Sequence, residues 1–372
     1  MDLAFTPAEE AFRAEVRDWL TANVPEDLPS LDTEEGFAAH REWERRMADE
    51  RWSVVAWPEE YGGRAATLID WLIFEEEYWA AGAPARVSQN GIFLLAPTLF
   101  AYGTDEQRQR FLPRMARADD VWAQAWSEPG AGSDLASLRS TATRDEMAGG
   151  WRLSGQKTWS SRAVWADWAF GLFRSDPSES RHRGLTYFLF PLDVEGVTVR
   201  PIRQLDGETG FAEIFLDDVF VPDDQVLGNV NAGWTVAMAT TSSERGLSLR
   251  SPGRFTATAD RLLALAVDDP PSDVIDAWCD AEAYRLYTFA AATQLTDGHE
   301  LGASSSLMKV FWSEMDVRMH ETALRLLGND APIHSRWLDG FLFALSGPIY
   351  AGTNEIQRDL IAERVLSLPR SR

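Results

Sequence analysis

The chain has 372 residues, 45% of them hydrophobic and 25% charged, which suits a soluble globular protein of two or three domains. Asp and Glu outnumber Lys and Arg by 58 to 35, and a net charge of −23 argues against nucleic acid or an anionic membrane surface as partner. A small anionic ligand stays open, because a few local arginines can reverse the field inside a cleft.

The chain opens with "TPAEEAFRAEVRDWL", an amphipathic helix with a capping box from Thr6 to Glu9 and Pro7 at its first position, which reads as a helix start and not as a signal peptide. "TEEGFAAHREWERRMADE", "TLIDWLIFEEEYWAAG" and "TDEQRQRFLPRMARA" continue the helical pattern, the last with Thr104 three residues before Gln107. "WPEEYGG" (Trp57 to Gly63) interrupts them as a turn. From about Val121 the pattern changes to short β-rich runs: "WRLSGQKTWSS", "ADWAFGLFRS", "GLTYFLFPLD", "GVTVRPIRQL" and "FAEIFLDDVFVP". These make a β domain of roughly one hundred residues that closes near "DDQVLGNVNAGW". After Gly233 the helical signal returns in "TVAMATTSSERGLSL", followed by two long segments over Ser272–Thr296 and Ser304–Leu327 and a terminal helix. Cys279 is alone, so no intramolecular disulfide forms and the cytoplasm is the expected compartment. The five histidines have no ligand spacing, and neither a metal nor a membrane span is expected.

Three stretches can carry chemistry. "WSEPGAGSDLASL" (Trp126 to Leu138) is Gly-rich but lacks the third glycine of a dinucleotide fingerprint and its βαβ setting, which argues against a Rossmann site, and a Walker loop is excluded because no Gly-Lys-Ser/Thr occurs. It is either an ordinary turn or a loop that lies flat against a planar ligand. "GQKTWSSRAVWADW" can set one indole face and the Ser160 and Ser161 hydroxyls against an aromatic ring, or simply pack. In "IYAGTNEIQR", Gly352 frees the backbone, and Thr353 or Asn354 can cap the following helix, whose converging N–H groups suit an anion.

Together, "WPEEYGG", "WSEPGAGSD", "GQKTWSS" and "IYAGTNEIQR", in this order across an α–β–α layout, resemble the acyl-CoA dehydrogenase family over essentially the whole chain. The resemblance implies an α+β fold: an N-terminal helical domain (1–120), a central β domain (121–229) and a C-terminal four-helix bundle (230–372), with FAD at their junction. By position, Gln124, Ala125, Trp126, Ser127, Gly132 and Ser133 would line the isoalloxazine. Trp159, Ser160 and Ser161 would flank its other side, and Thr353 and Asn354 would meet the pyrophosphate. Ser133, Arg245, Ala351 and Gly352 are the expected substrate contacts, Arg245 near the CoA moiety.

Many relatives carry their catalytic Glu immediately after the Tyr of the last motif, where this chain has Ala351. An alanine accepts no proton. Some branches place the base on the helix after the β domain, and here Val236, Thr240, Glu244 and Leu247 share one helical stripe. Glu244 is therefore the expected base, with Ala351 supplying a backbone N–H to the thioester oxygen. Glu355 is a rival that belongs to the capping pattern.

The chain also departs from the family. The Arg with Phe-Gly three residues on is missing from "ALAVDDPPSDVIDAW". The usual Gln and Gly pair becomes "RLLGND", leaving Arg325 as a candidate phosphate contact. Pro252 is expected to kink a helix that is usually continuous. The activity implied is FAD-dependent α,β-dehydrogenation of an acyl-CoA or other acyl thioester. Hydride would pass to flavin N5 and electrons to an electron-transfer flavoprotein. A homotetramer or homodimer is expected, with a heterotetramer as alternative. Rival readings are a flavin oxidase or monooxygenase, a carrier-protein thioester dehydrogenase, and a non-catalytic subunit of a heteromeric enzyme.

Overall fold

Helix starts are written directly into the N-terminal third. Thr6 caps α1 (Pro7–Asn23), Thr67 caps α3 (Leu68–Ala80) and Thr104 caps α5 (Asp105–Ala116), each in a reciprocal box with the third residue of its helix. Thr33 caps α2 (Glu34–Asp49) by accepting from the Gly36 N–H. A π-turn over Gly91–Leu95 leads into α4 (Ala96–Tyr102), and "WPEEYGG" holds a single 3₁₀ turn. The computed structural model describes residues 4–245, 251–266, 269–299, 302–333 and 335–369, the side chains of 242–245 excepted.

Among the described residues eight strands follow: β1 (Trp122–Ala125), β2 (Thr141–Asp145), β3 (Gly150–Ser161), β4 (Trp168–Arg174), β5 (Leu185–Pro191), β6 (Val197–Ile202), β7 (Phe211–Pro222) and β8 (Val226–Leu227). Then come α6 (Gly233–Arg245), α7 (Pro252–Leu265), α8 (Ser272–Thr296), α9 (Ser304–Leu327), α10 (Arg336–Ala344) and α11 (Asn354–Leu360). The chain divides into two compact units. One comprises 26–65 and 84–244; the other joins residues up to 25, 66–83 and 245 onward.

The first unit is built on the sheet, ordered β6-β7-β3-β2-β4-β5-β8 with β1 paired in parallel to β4. Leu153, Phe173, Phe188, Phe190, Ile214 and Val219 form its core, each worth roughly 1.5–3 kcal/mol of burial. In β5, "LTYFLF" is buried at every position, which explains why it reads as a continuous apolar run and not as an alternation. Helix α6 belongs here: Val236 and Thr240 are buried, and the Thr240 hydroxyl meets those of Thr98 at 2.8 Å and Tyr187 at 3.4 Å.

The second unit is helical. Helix α7 approaches α3 so closely that a Cβ on Gly253 would lie 2.5 Å from the Glu75 carbonyl oxygen. The Ser251 hydroxyl donates to the Glu75 carboxylate at 3.1 Å. The acids of α3 are partnered within the unit: Arg13 and Arg17 of α1 bond Glu77 at 2.9 Å, and Arg285 of α8 pairs with Glu76. Phe255, Tyr284, Phe311 and Trp312 knit α7, α8 and α9 together. The expected kink at Pro252 is instead a helix start. Ser251, held extended (ψ 147°) by the ring that follows it, precedes Pro252 at the first helical position, where a missing N–H costs nothing.

Candidate functional site

The expected site residues fall into two groups, one in each unit. In the sheet unit, Gln124 and Ala125 end β1, and Trp126 and Ser127 follow directly. The Thr158 N–H donates to the Ser127 carbonyl at 2.8 Å, so the "WSEPGAGSD" and "GQKTWSS" stretches run side by side. Glu128 and Ala131 exchange both backbone hydrogen bonds at 3.0 Å across Pro129-Gly130, closing a tight turn that leaves Gly132 and Ser133 exposed.

A buried ion pair fastens this loop from beneath. Lys157 of β3 is fully enclosed and donates to the Glu128 carboxylate at 2.9 Å and to the Leu172 carbonyl at 2.8 Å. Glu128 also accepts the Arg139 N–H at 2.6 Å and the Ser140 N–H at 2.9 Å. Burial pulls the Lys157 ammonium below its ordinary value against the raising pull of Glu128. Burial pushes the Glu128 carboxyl up, but Lys157 and the hydrogen bonds outweigh it and hold the group below the usual range. Neither residue was singled out in the sequence. The signal was available: Lys157 follows the inward parity of Trp151 and Leu153, and a lysine at a core position needs a carboxylate.

Beyond Lys157 the pairing with β7 shifts register, and Trp159 adopts φ 59°, a left-handed conformation that costs a bulky residue on the order of 1–3 kcal/mol. The result is an indole 60% exposed, edge-on to Phe211, with Ser161 two residues along. Ser160 points the other way; its hydroxyl is buried and has no partner among the described residues. A strained backbone that keeps an apolar ring in solvent beside the open end of β1 fits a flat ring system lying against it. The Trp126 indole N–H is likewise buried and unpartnered among the described residues.

In the helical unit, Ala351 (φ 56°) and Gly352 (φ 77°) are consecutive left-handed residues. Gln357, itself buried, holds the turn by donating to the Ala351 carbonyl at 3.0 Å, and the Asn354 N–H donates to the Pro348 carbonyl at 2.8 Å. The Ala351 N–H has no acceptor among the described residues. Thr353, and not Asn354, caps α11 through the Ile356 N–H at 3.4 Å. Asn354 is buried and accepts from Lys309 at 2.7 Å and from Ser313 at 3.2 Å while donating to Glu314 at 3.1 Å. Its side chain is therefore committed within the unit. Arg325, on the exposed face of α9, pairs with Asp273.

Glu244 and Arg245 form the end of α6, one turn beyond the buried Thr240; their side chains, and Leu247, lie outside the described residues.

Three family models match in order: the acyl-CoA dehydrogenase N-terminal domain at residues 6–119, the middle domain at 123–219 and the C-terminal domain at 231–366. The chain belongs to the acyl-CoA dehydrogenase family. It is 39% identical to the acyl-CoA dehydrogenase IpdE1 of Mycobacterium tuberculosis, over 97% of this chain and 98% of that one. Among solved structures it is similar to a protein described as the Tcur3481-Tcur3483 steroid ACAD, with TM-score 0.88, 27% identity and full coverage of both chains. It is also similar to the ChsE4-ChsE5 complex of Mycobacterium tuberculosis, with TM-score 0.84, 30% identity and full coverage of both chains. Members of this family are FAD-dependent oxidoreductases of lipid metabolism that act on acyl-CoA thioesters, and their α+β fold is the one found here. In this acyl-CoA dehydrogenase the Trp159 indole is left exposed beside the stretch that follows β1.

Proposed function

We propose that this chain dehydrogenates the CoA thioester of a steroid-derived or similarly bulky acyl group, with Glu244 removing the α-proton. The observation that carries the assignment of the base is Ala351, which puts a methyl group where many relatives place the carboxylate. Glu244 sits one turn past Thr240 on a helix stripe whose earlier members are buried. Bound FAD would supply the hydride acceptor. Ala351 keeps its backbone N–H to donate to the thioester oxygen and stabilise enolate charge, while Gln357 fixes the turn from behind. Arg245 is assigned to the CoA moiety. Trp159, Ser161 and residues 124–127 and 132–133 hold and orient the flavin, and Thr353 meets its pyrophosphate. The division at 1–120, 121–229 and 230–372 follows the change from helix to strand and back, and an electron-transfer flavoprotein is the proposed acceptor.

The steroid assignment rests on the described substrate of the Tcur3481-Tcur3483 protein. Two relatives carry paired names, Tcur3481-Tcur3483 and ChsE4-ChsE5, which favours a heteromeric assembly for this chain as well. Anaerobic titration with steroid side-chain CoA esters should bleach the flavin in a single turnover. Glu244→Gln should slow that step by about 10²–10⁴-fold with the flavin still bound; a near-normal rate removes Glu244 from the mechanism. A colourless purified chain that acquires flavin only with a second subunit would establish the heteromeric form of the site.

A further inference from the structure

We infer that a second, anion-binding site lies within the helical unit, built to take a phosphoryl group. A cavity of about 190 Å³ opens between the end of α3, α7, α9 and the start of α10. Arg261, Arg336 and His320 line it, with Thr258 and the rings of Trp79 and Trp337, and no carboxylate contributes to the wall. In a chain where acids outnumber bases by 58 to 35, such a wall is not what random surface charge would give.

The neighbouring acids are already committed. Asp316 bonds Arg254 at 2.7 Å and approaches His320 at 3.3 Å; Glu75 accepts from Ser251 and Trp79; Asp260 accepts from the Trp278 indole at 3.1 Å. Arg261 donates to the Thr258 hydroxyl at 3.0 Å, and its Nε is buried without a partner among the described residues. Arg336 is exposed at the start of α10. Burial, and then Arg336 and Arg254, pull the Arg261 pKa down, against a smaller raising pull from Asp260.

Two guanidinium groups facing one space offer forked donors that match an oxyanion. A cavity of this size has room for a hydrated phosphate. The site takes either free phosphate or the terminal phosphoryl group of a larger molecule whose body stays outside.

The test uses the full-length flavoprotein, titrated calorimetrically with inorganic phosphate and separately with ADP at constant ionic strength. Phosphate should bind at millimolar or lower concentration. Arg261→Met should weaken binding at least tenfold, Arg336→Gln several-fold, and the remote exposed Arg200→Gln not at all. Tighter binding of ADP than of phosphate identifies a phosphate ester as the source; the reverse identifies free phosphate. In phosphate-free buffer Arg261→Met should melt no lower than the parent, and added phosphate should raise the parent's melting point alone. A parent chain silent to both probes, or Arg261→Met and Arg336→Gln variants that bind as the parent does, overturns the site. Arg336 is exposed, so its variant tests the idea even if the Arg261 change disturbs folding.

Discussion

Replacing Lys157 with Met tests how the Gly-rich loop proposed to hold the flavin is fixed. The change removes a fully enclosed ammonium and leaves three things behind: the Glu128 carboxylate buried and unpaired, and the Leu172 and Trp126 carbonyls without their donor. Breaking one half of a buried ion pair costs about 3–5 kcal/mol. For the sheet unit of roughly 200 residues, an unfolding entropy of about 2.1 cal/mol/K per residue turns that loss into a fall of about 7–12 °C in melting temperature. Glu128→Gln should cost less, because its amide oxygen still accepts from Lys157 and the Ser140 N–H, although its NH₂ group then faces the Arg139 N–H donor. In the double variant no charge is stranded, so its loss should fall well short of the sum of the single losses. Thermal melts followed by tryptophan fluorescence, together with flavin content after gel filtration, read both consequences, and Lys157→Met should shed flavin. Additive losses, or a Lys157→Met protein that melts within about 2 °C of the parent with its flavin retained, would refute the claim that this pair fixes the loop.

Gly253→Ala should destabilise the helical unit by about 1–3 kcal/mol, since its methyl would meet the Glu75 carbonyl at 2.5 Å and force α7 off α3; a chemical-denaturation midpoint equal to the parent's would contradict that packing. Acid should weaken both units. Glu77, despite burial, is held below its ordinary value of 4.5 by Arg17 and Arg13, and Glu128 is depressed by Lys157 and its hydrogen bonds. For each, the folded value lies below the unfolded one, so the stabilisation is complete above about pH 4.5 and is lost as pH falls through the folded value. Urea midpoints measured from pH 6 down to pH 3 should decline below pH 4.5, and Glu128→Gln should flatten its share of the decline.

The long elements were legible because periodicity accumulates over length. Helices α8 and α9, at 25 and 24 residues, were placed at their observed bounds, and β3, β5 and β7 showed through their aromatic and β-branched runs. Strands β1, β2 and β8, of four, five and two residues, carry too few alternations to register, and they are fixed by pairing with β3, β4 and β5. Helix α4 was hidden by the π-turn at Gly91–Leu95 and by Pro97 near its start. Among the site residues, Trp159 was readable as a candidate, but its positive φ was not. That strain comes from the bulge against β7, a partner about fifty residues away that no local pattern names.

The same pairing gives a mechanical reason for two of the motifs to occur together. "WSEPGAGSD" and "GQKTWSS" were read as a joint pattern because of their order and separation. The structure shows that one supplies the carboxylate and the other the ammonium of a single buried pair, with the Thr158 N–H to Ser127 carbonyl bond alongside. Neither charge is tolerable in that interior without the other. A buried ion pair adds little net stability over an apolar pair of the same shape, so its use here is positional. It fixes Glu128 at the base of the Gly-rich turn and Lys157 two residues before the strained Trp159, setting both stretches from one contact.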